Sequence, residues 1–194
     1  MSGGGIRALL LCGGRSSRFG SNKLLASLDG APLVVRTARN LMAGAGRPLA
    51  VVPIGSAALA STLREAGCDV LESPDSARGL GASLAAGVRE AADAHGWIVA
   101  LGDMPFIRAS TIAAVAERIE RGALIAAPLR NGQRGHPVGF GAALKAELLA
   151  LDGDEGAKQV IGKHRDAMVG VAVDDEGITA DVDVPADLER NGGT

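Results

Sequence analysis

The loop after the first apolar segment carries the residues best suited to phosphate chemistry. Residues 6–12 form a short apolar run that ends at the pair Gly13-Gly14, a pattern typical of a buried strand leading into a loop. Glycines let the backbone approach a ligand closely, and successive N–H groups in such a loop form a concave anion site. Positive charge follows at Arg15, Arg18 and Lys23. The loop is therefore predicted to hold a polyphosphate, although a glycine-rich turn with solvated arginines would contain the same residues.

Two acidic segments are candidates for a divalent metal site. Asp103 follows the apolar run 97–101 and Gly102, where a carboxylate near a phosphate loop could hold Mg²⁺. The structural alternative is a turn aspartate that caps the next segment. A second acidic segment, ADVDVPADLERN, contains Asp181, Asp183 and Asp187. One of these could complete the metal site, but a helix cap at Asp183 with solvated neighbours explains the spacing equally well.

A second glycine loop, RGLGAS at residues 78–83, precedes a predicted helix. Backbone amides at a helix start, here with Gly81 and Ser83, could meet a base or an anion. A simple turn that caps the helix explains the same residues.

His136 is the histidine whose surroundings indicate a site, because it lies between Gly135 and Pro137 on a turn-rich segment. We expect it to hydrogen-bond a substrate rather than to act as a general base, and a structural role is the alternative. His95 and His164 have sequence surroundings typical of solvated surface residues.

Alternating strands and helices must position these residues. The strands are predicted over 6–12, 49–54, 69–72, 97–101, 124–127 and 167–173, and the helices over 32–43, 56–66, 81–94, 109–121, 142–149 and 156–163. Pro32 suits a first helical position, and Ser56 and Ser110 are candidate helix caps. The alternation predicts an α/β three-layer, Rossmann-like fold with a mostly parallel central sheet. Both the Gly13 loop and the Asp103 loop then fall at the carboxyl edge of the sheet, where such folds bind ligands.

Composition narrows the function classes. The 194 residues are expected to form a single domain over 1–194, with a formal net charge of −2 that argues against a nucleic-acid binder. No signal-peptide pattern and no membrane-length apolar run is visible, so a cytoplasmic location is expected. Cys12 and Cys68 lack metal-like spacing and are predicted to be buried, reduced thiols.

Together these motifs resemble a known family. The chain resembles the MobA-like nucleotidyltransferases, and among them most closely the molybdenum cofactor cytidylyltransferases of the MocA type. The matching stretches cover nearly the whole chain and read LLLCGGRSSRFGSNKLLASLDGAPLV, GLGASLAAGV, LGDMPF, GHPVGF, LDGDEGAK and DVDVPADL. The first stretch marks the superfamily, while LGDMP, GHP and the GD-x-GA pattern point to the cytidylyl branch.

The resemblance implies transfer of a nucleoside monophosphate, with CMP from CTP favoured, to the phosphate of molybdopterin, with Mg²⁺ and release of pyrophosphate. It implies triphosphate contacts from the first loop, metal ligation by Asp103 and Asp183, a base pocket at the second loop and acceptor contacts at His136. The implied nucleotide-binding residues are Cys12, Gly13, Gly14, Arg15, Lys23, Gly81, Ser83 and Asp103. Of these, Arg15, Lys23 and Asp103 are the expected catalytic residues. A molybdoenzyme or its chaperone is the implied transient partner.

Three alternatives remain open at this stage. Cys12-Gly13-Gly14 stands where cytidylyl members usually have Ala-Ala-Gly, and a Gly-Gly pair is commoner in guanylyl relatives. The chain could therefore be a guanylyltransferase of the same cofactor, or it could act on another phosphorylated small molecule. A non-catalytic nucleotide-binding protein that delivers a cofactor is the third reading, which the joint presence of Lys23, Asp103 and Asp183 disfavours.

Overall fold

The fold is a three-layer α/β arrangement around one central sheet, as expected. The computed structural model describes residues 5–13 and 23–182. Its strands are β1 (Ile6–Leu11), β2 (Ser27–Leu28), β3 (Ala31–Pro32), β4 (Leu49–Pro53), β5 (Asp69–Ser73), β6 (Gly96–Leu101), β7 (Ile125–Arg130), β8 (Gln133–Arg134), β9 (Val138–Gly141) and β10 (Met168–Ala172). Its α-helices are α1 (Leu33–Ala45), α2 (Ala57–Glu65), α3 (Leu80–Glu90), α4 (Ala109–Glu120), α5 (Lys145–Leu149) and α6 (Lys158–Lys163).

Within the described chain, eight strands form the central sheet in the order β10-β7-β9-β6-β1-β4-β5, with the short β8 paired to β7. The β1–β4, β1–β6, β4–β5 and β7–β10 pairs are parallel. The small β2–β3 hairpin stands apart from this sheet. The mostly parallel sheet predicted from the alternation is confirmed.

Strand β1 shows why the sheet has two covered faces. Its four residues from Ala8 to Leu11 are all buried. Ala8 and Leu10 pack into a core with α1, α2 and α4, whereas Leu9 and Leu11 pack into the opposite core with α3, α5 and α6. A continuous apolar run is what a parallel strand covered on both faces requires.

Strand β9 is the main departure from the expected topology. It runs antiparallel between β6 and β7, although no strand was predicted there. The segment VGFG contains two glycines, which β-propensity disfavours. Glycine is nevertheless suited to this place, because a Cβ at Gly139 would approach Ile119 Cγ1 to 2.5 Å. Close helix–strand packing therefore accounts for the glycine at residue 139.

The predicted end of helix α3 was wrong for a tertiary reason. Helix α3 ends at Glu90 rather than at residue 94, and the turn that follows is held by side chains. Trp97 Nε1 donates to Ala91 O at 3.1 Å and Lys145 Nζ to Ala92 O at 2.7 Å.

The predicted helix starts also need correction. Pro32 closes strand β3 and is the N-cap of α1 rather than a first helical residue. Ser56 is the N-cap of α2 but makes no side-chain capping bond, and Ser110 lies inside α4. At the start of α4 the backbone N–H of Arg108 instead donates to the carboxylate of Asp175 at 2.9 Å. No local pattern predicts a cap supplied from so far along the chain.

The register of β1 and β6 brings the two expected site loops together. Leu11 pairs with Leu101, and Gly102 N donates to Leu11 O at 2.9 Å. The two strands are parallel and end at the same level, so the Gly13 and Asp103 loops leave the same edge of the sheet. Among the described residues, no helix is long and apolar enough to cross a membrane.

Candidate functional site

The centre of the candidate site is an ion pair between two residues that lie 80 positions apart. Lys23 Nζ approaches Asp103 Oδ2 to 2.8 Å, and the two side chains are 16% and 23% exposed. Lys23 begins a short 3₁₀ helix, Lys23–Leu25, that is anchored by buried Leu24. Asp103 follows the end of β6. The structure thus joins the loop lysine and the expected metal ligand at the carboxyl edge of the sheet.

The backbone around Asp103 is held by neighbouring segments. Met104 N donates to Leu101 O at 3.3 Å, and Val182 N donates to Asp103 O at 3.0 Å. Val182 is the last described residue and is fully buried. The C-terminal segment therefore reaches the Asp103 loop directly before residue 183 in the chain.

Gly13 and Ser83, two expected nucleotide-binding residues, pack against each other. A Cβ at Gly13 would lie 2.8 Å from Ser83 Oγ, closer than side-chain carbons ordinarily come. Ser83 is fully buried, and its hydroxyl donates to Gly79 O at 3.0 Å. The first and second glycine loops therefore meet, and their contact leaves little room for a side chain at residue 13.

Gly81 makes a different contact from the one expected at a base pocket. Its N–H donates to Gly153 O at 2.8 Å, and a Cβ there would lie 2.7 Å from Asp152 O. Arg78 Nε donates to Asp152 Oδ1 at 3.1 Å across the same junction. The LDGDEGAK motif thus packs on the start of α3, and the Gly81 amide is taken up by this packing.

Cys12 belongs to the core beneath the site. It is 5% exposed, and its N–H donates to Val51 O at 3.0 Å. Burial, with smaller contributions from Cys68 and Asp103, raises the pKa of the Cys12 thiol far above its usual range. Cys68 is also buried and free, and burial raises its pKa to about 11. Both thiols are protonated at neutral pH and cannot act as nucleophiles.

His136 faces the same region and stays neutral. Burial, reinforced by the positive charge of Arg134 and opposed by Asp103, lowers the pKa of His136 to about 4. Its Nδ1 is buried and has no hydrogen-bond partner in the described part of the chain. Its backbone N–H donates to Ile178 O at 2.8 Å. A buried ring nitrogen without a partner is costly, which makes this imidazole a candidate binding group.

His164 is not the solvated surface residue that its neighbours in sequence suggested. Its Nε2 lies 2.9 Å from Glu147 Oε1, and its side chain is only 23% exposed. Hydrogen bonds from His164 and Lys163 lower the pKa of Glu147. His95, by contrast, is exposed as expected.

The expected divalent metal fits the donor chemistry at Asp103. Its carboxylate supplies hard oxygens and already lies against a cation, the ammonium group of Lys23. Over residues 5–13 and 23–182, no group of three or more His, Cys, Asp or Glu could hold a metal. Mg²⁺ commonly takes one or two carboxylates and completes its shell with water and substrate phosphates. The donor set therefore suits a metal shared with a polyphosphate.

Three expected site residues, Gly14, Arg15 and Asp183, lie outside the described residues. Their roles stay predictions, as does the approach of the Asp183 and Asp103 carboxylates to one ion.

Asp175 is a buried residue that the sequence reasoning missed. It is 2% exposed and accepts bonds from Arg108 N, Thr111 Oγ1 and Gly177 N at 2.9, 2.6 and 3.0 Å. These bonds anchor the segment that continues to Val182 beside Asp103. In sequence Asp175 lies in the acidic, turn-like stretch DDEG and looks solvated, so no signal short of the tertiary contacts would have identified it.

The chain shares its fold with several solved structures. Rv0371c from Mycobacterium tuberculosis H37Rv is 25% identical, with a TM-score of 0.85 and 98% of each chain covered. A manganese complex of Rv0371c superposes with a TM-score of 0.81 at 23% identity, covering 97% of this chain and 98% of that one. A nucleotidyl transferase from Methanothermobacter thermautotroptrophicus is 24% identical, with a TM-score of 0.81 and coverage of 95% and 94%.

A more distant neighbour has a nucleotide bound. CMP:2-keto-3-deoxy-manno-octonic acid synthetase complexed with CTP is 13% identical, with a TM-score of 0.69 and 96% of each chain covered. At this identity the likeness shows the fold alone. The comparison with curated proteins gave no significant match.

The family assignment follows from the sequence over most of the chain. The model of the MobA-like NTP transferase domain matches residues 8–168, a span that includes both glycine loops, Lys23, Asp103 and His136. This chain therefore belongs to the MobA-like NTP transferase family and is a nucleotidyltransferase of that family.

Proposed function

We propose that this protein transfers CMP from CTP to the terminal phosphate of a molybdopterin-type acceptor and releases pyrophosphate. The observation that carries the proposal is the Lys23–Asp103 pair at the carboxyl edge of the sheet. This pair joins a cation suited to a polyphosphate to a carboxylate suited to a divalent metal. The molybdopterin acceptor rests on the resemblance of the LGDMPF, GHPVGF and GDEGA stretches to the cytidylyl branch.

The reaction is a phosphoryl substitution that needs little acid–base chemistry. An acceptor phosphate oxygen attacks the α-phosphorus of the NTP, the bond from that phosphorus to the α,β-bridging oxygen breaks, and pyrophosphate leaves. The attacking oxygen is already anionic, so no strong general base is required. Rate enhancement then comes from alignment and from neutralising charge in the transition state.

Three charged or polar side chains have roles in this scheme, in addition to the metal ligands. Lys23 binds the triphosphate when NTP enters and leaves the Asp103 carboxylate for the metal. His136 is neutral, its Nδ1 has no partner among residues 5–13 and 23–182, and it hydrogen-bonds the acceptor in this scheme. Arg15, outside the described residues, adds charge at the phosphates.

Asp103, together with Asp183, would hold the divalent ion, for which we propose Mg²⁺. When bound, such an ion neutralises phosphate charge and orients the leaving group. The manganese complex of Rv0371c supports a divalent metal in this fold.

The packing of Gly13 bears on the choice between CTP and GTP. A glycine at this position suggested the guanylyl branch. The contact with Ser83 gives this glycine a packing reason as well, because a Cβ there would lie 2.8 Å from the Ser83 hydroxyl, so the glycine pair alone does not favour GTP.

Pyrophosphate release from each of the four NTPs, with molybdopterin as acceptor, tests the proposal. We expect turnover with CTP to exceed turnover with GTP, and Asp103→Asn to abolish most of it. Faster turnover with GTP would place the chain in the guanylyl branch. Binding of an NTP without any pyrophosphate release would favour a non-catalytic cofactor-delivery protein.

A further inference from the structure

The loop that carries Asp103 is held at both ends by side chains of α1. Thr37 Oγ1 donates to Gly102 O at 3.0 Å, and Asn40 Nδ2 donates to Pro105 O at 3.0 Å. Each bond spans 65 positions in the sequence. We infer that Thr37 and Asn40 are positioning residues that hold the Asp103 carboxylate in its reactive place, an inference that rests on the proposed function.

The burial of Thr37 indicates that its hydroxyl is directed to this loop. Thr37 is 3% exposed and lies in the apolar core that α1 forms with the sheet. A buried hydroxyl without a partner is unfavourable. Within its own helix the hydroxyl has Leu33 O at 3.4 Å, a longer contact than the 3.0 Å bond to Gly102. Its better partner is therefore the loop.

One rigid element fixes both ends of the loop. Residues at i and i+3 of a helix lie on the same face, so Thr37 and Asn40 can both contact the Asp103 loop. Between their two acceptors, Asp103 O receives the bond from Val182 N. The Asp103 backbone therefore cannot shift without breaking bonds to α1 or to the C-terminal segment. Such support matters because small displacements of a reacting group cost large factors in rate.

The first test replaces Thr37 with valine, which keeps the shape and removes the hydroxyl. We expect kcat for pyrophosphate release to fall by about tenfold while the NTP dissociation constant stays within about twofold, as for a misplaced catalytic group. Thr37→Ser should restore most of the rate. Thr62→Val is the matched control, because the Thr62 hydroxyl donates to Ala58 O at 2.8 Å on the exposed face of α2.

Asn40→Leu tests the other end of the loop. We expect a smaller fall in kcat, about threefold to tenfold, because Asn40 is partly exposed and the Thr37 bond remains. A change in NTP affinity with kcat intact would contradict a positioning role for Asn40.

Amide hydrogen exchange without nucleotide provides a readout that does not depend on turnover. In Thr37→Val the N–H groups of Met104 and Val182 should exchange faster, while those inside β1 and β6 stay protected. Unchanged exchange at both amides would overturn the inference, and so would faster exchange with an unchanged kcat. If the wild-type chain releases pyrophosphate from no NTP, the proposed function and the positioning role both fail, and the exchange data still decide whether α1 restrains the loop.

Discussion

The strands of the central sheet carry similar ion pairs at their two ends, but in different surroundings. We call the side where the parallel strands begin the amino edge and the side where they end the carboxyl edge. At the amino edge Arg7 pairs with Asp69, which also takes Arg47 at 2.8 Å, and these side chains are 30% to 62% exposed. At the carboxyl edge the Lys23–Asp103 pair is 16% and 23% exposed, and Asp103 sits in a loop held by long-range hydrogen bonds. Exposed pairs contribute little, whereas charges withdrawn from water interact more strongly.

The burial and the partners of the charged groups distinguish the carboxyl edge, which carries the candidate site, from the amino edge. The amino edge has a groove lined by Gly5, Ile6, Arg7, Leu49, Asp69 and part of 90–94, but Asp69 is already shared by two arginines. Beside the carboxyl edge lies a buried imidazole nitrogen that lacks a partner in the described part of the chain. Charge that is partly buried, firmly held and next to an unsatisfied polar atom marks a binding site better than the presence of a cleft.

Replacing Lys23 is expected to lower the rate of pyrophosphate release more than any other change considered. Lys23→Met should lower the rate of pyrophosphate release by the equivalent of about 2–4 kcal/mol in barrier, because a charge on the transferring phosphates is lost. Arg7→Met, the matched change at the amino edge, should leave the rate within about twofold, because Arg7 lies at the opposite ends of the strands from the candidate site. Steady-state kinetics with CTP measures both. Equal losses in the two variants would remove the distinction between the edges.

Asp103→Asn should impair the metal-dependent reaction at the carboxyl edge without removing NTP binding. We expect metal-dependent NTP use to fall by about a hundredfold, while NTP binding measured without metal changes little, because the amide lacks the charge of a metal ligand. Asp69→Asn is the comparison at the amino edge and should change neither quantity. Calorimetry with and without Mg²⁺ separates the two readouts. A similar loss of NTP binding in both conditions would contradict metal ligation by Asp103.

Gly13→Ala tests whether the contact between the two glycine loops, at Gly13 and Ser83, affects stability. The new methyl group would lie 2.8 Å from Ser83 Oγ, so we expect a loss of stability of about 1–3 kcal/mol from overpacking, together with weaker NTP binding. Adding Ser83→Ala removes the opposing oxygen and should recover part of the stability. Denaturant unfolding of the single and double variants measures the coupling. Additive effects would show that the contact does not set the requirement for glycine.

The last expected effect, which is confined to acidic pH, is a pH dependence of the free energy of unfolding at His136. Its folded-state pKa of about 4 lies below the ordinary 6.5, so the unfolded chain binds more protons between these values. The free energy of unfolding therefore falls as pH drops from 6.5 towards 4 and is insensitive to this group above 6.5.

His136→Gln should remove part of this acid destabilisation, roughly 1–3 kcal/mol. The matched control is His95→Gln, because His95 is exposed at the amino end of β6. Denaturant unfolding across the pH range is the measurement, and identical profiles for wild type and His136→Gln would contradict a buried, neutral imidazole.

The sequence by itself determined the alternation of strands and helices and the presence of two loops at the carboxyl edge. Apolar runs such as LLL in β1 and IVAL in β6 are short-range patterns that a sequence shows directly. In a parallel sheet, the loops that follow the strands lie at the same edge, so the common location of the two loops follows from the predicted fold class. These features are local, so they could be predicted. The motifs around Gly13 and Asp103 also pointed to the family that the match over residues 8–168 then showed.

Only the tertiary structure decided which side chains meet. The pairing of Lys23 with Asp103, the bonds from Thr37 and Asn40, and the use of the Gly81 amide by Gly153 each join residues far apart in the chain. The antiparallel pairing of β9 with β6 and β7 likewise joins segments that are distant in the chain, and Gly139 of β9 packs closely on Ile119 of α4. The physical reason is that hydrophobic periodicity sets which face of an element is buried, whereas register and side-chain direction set its partners, and these emerge only when the layers are assembled.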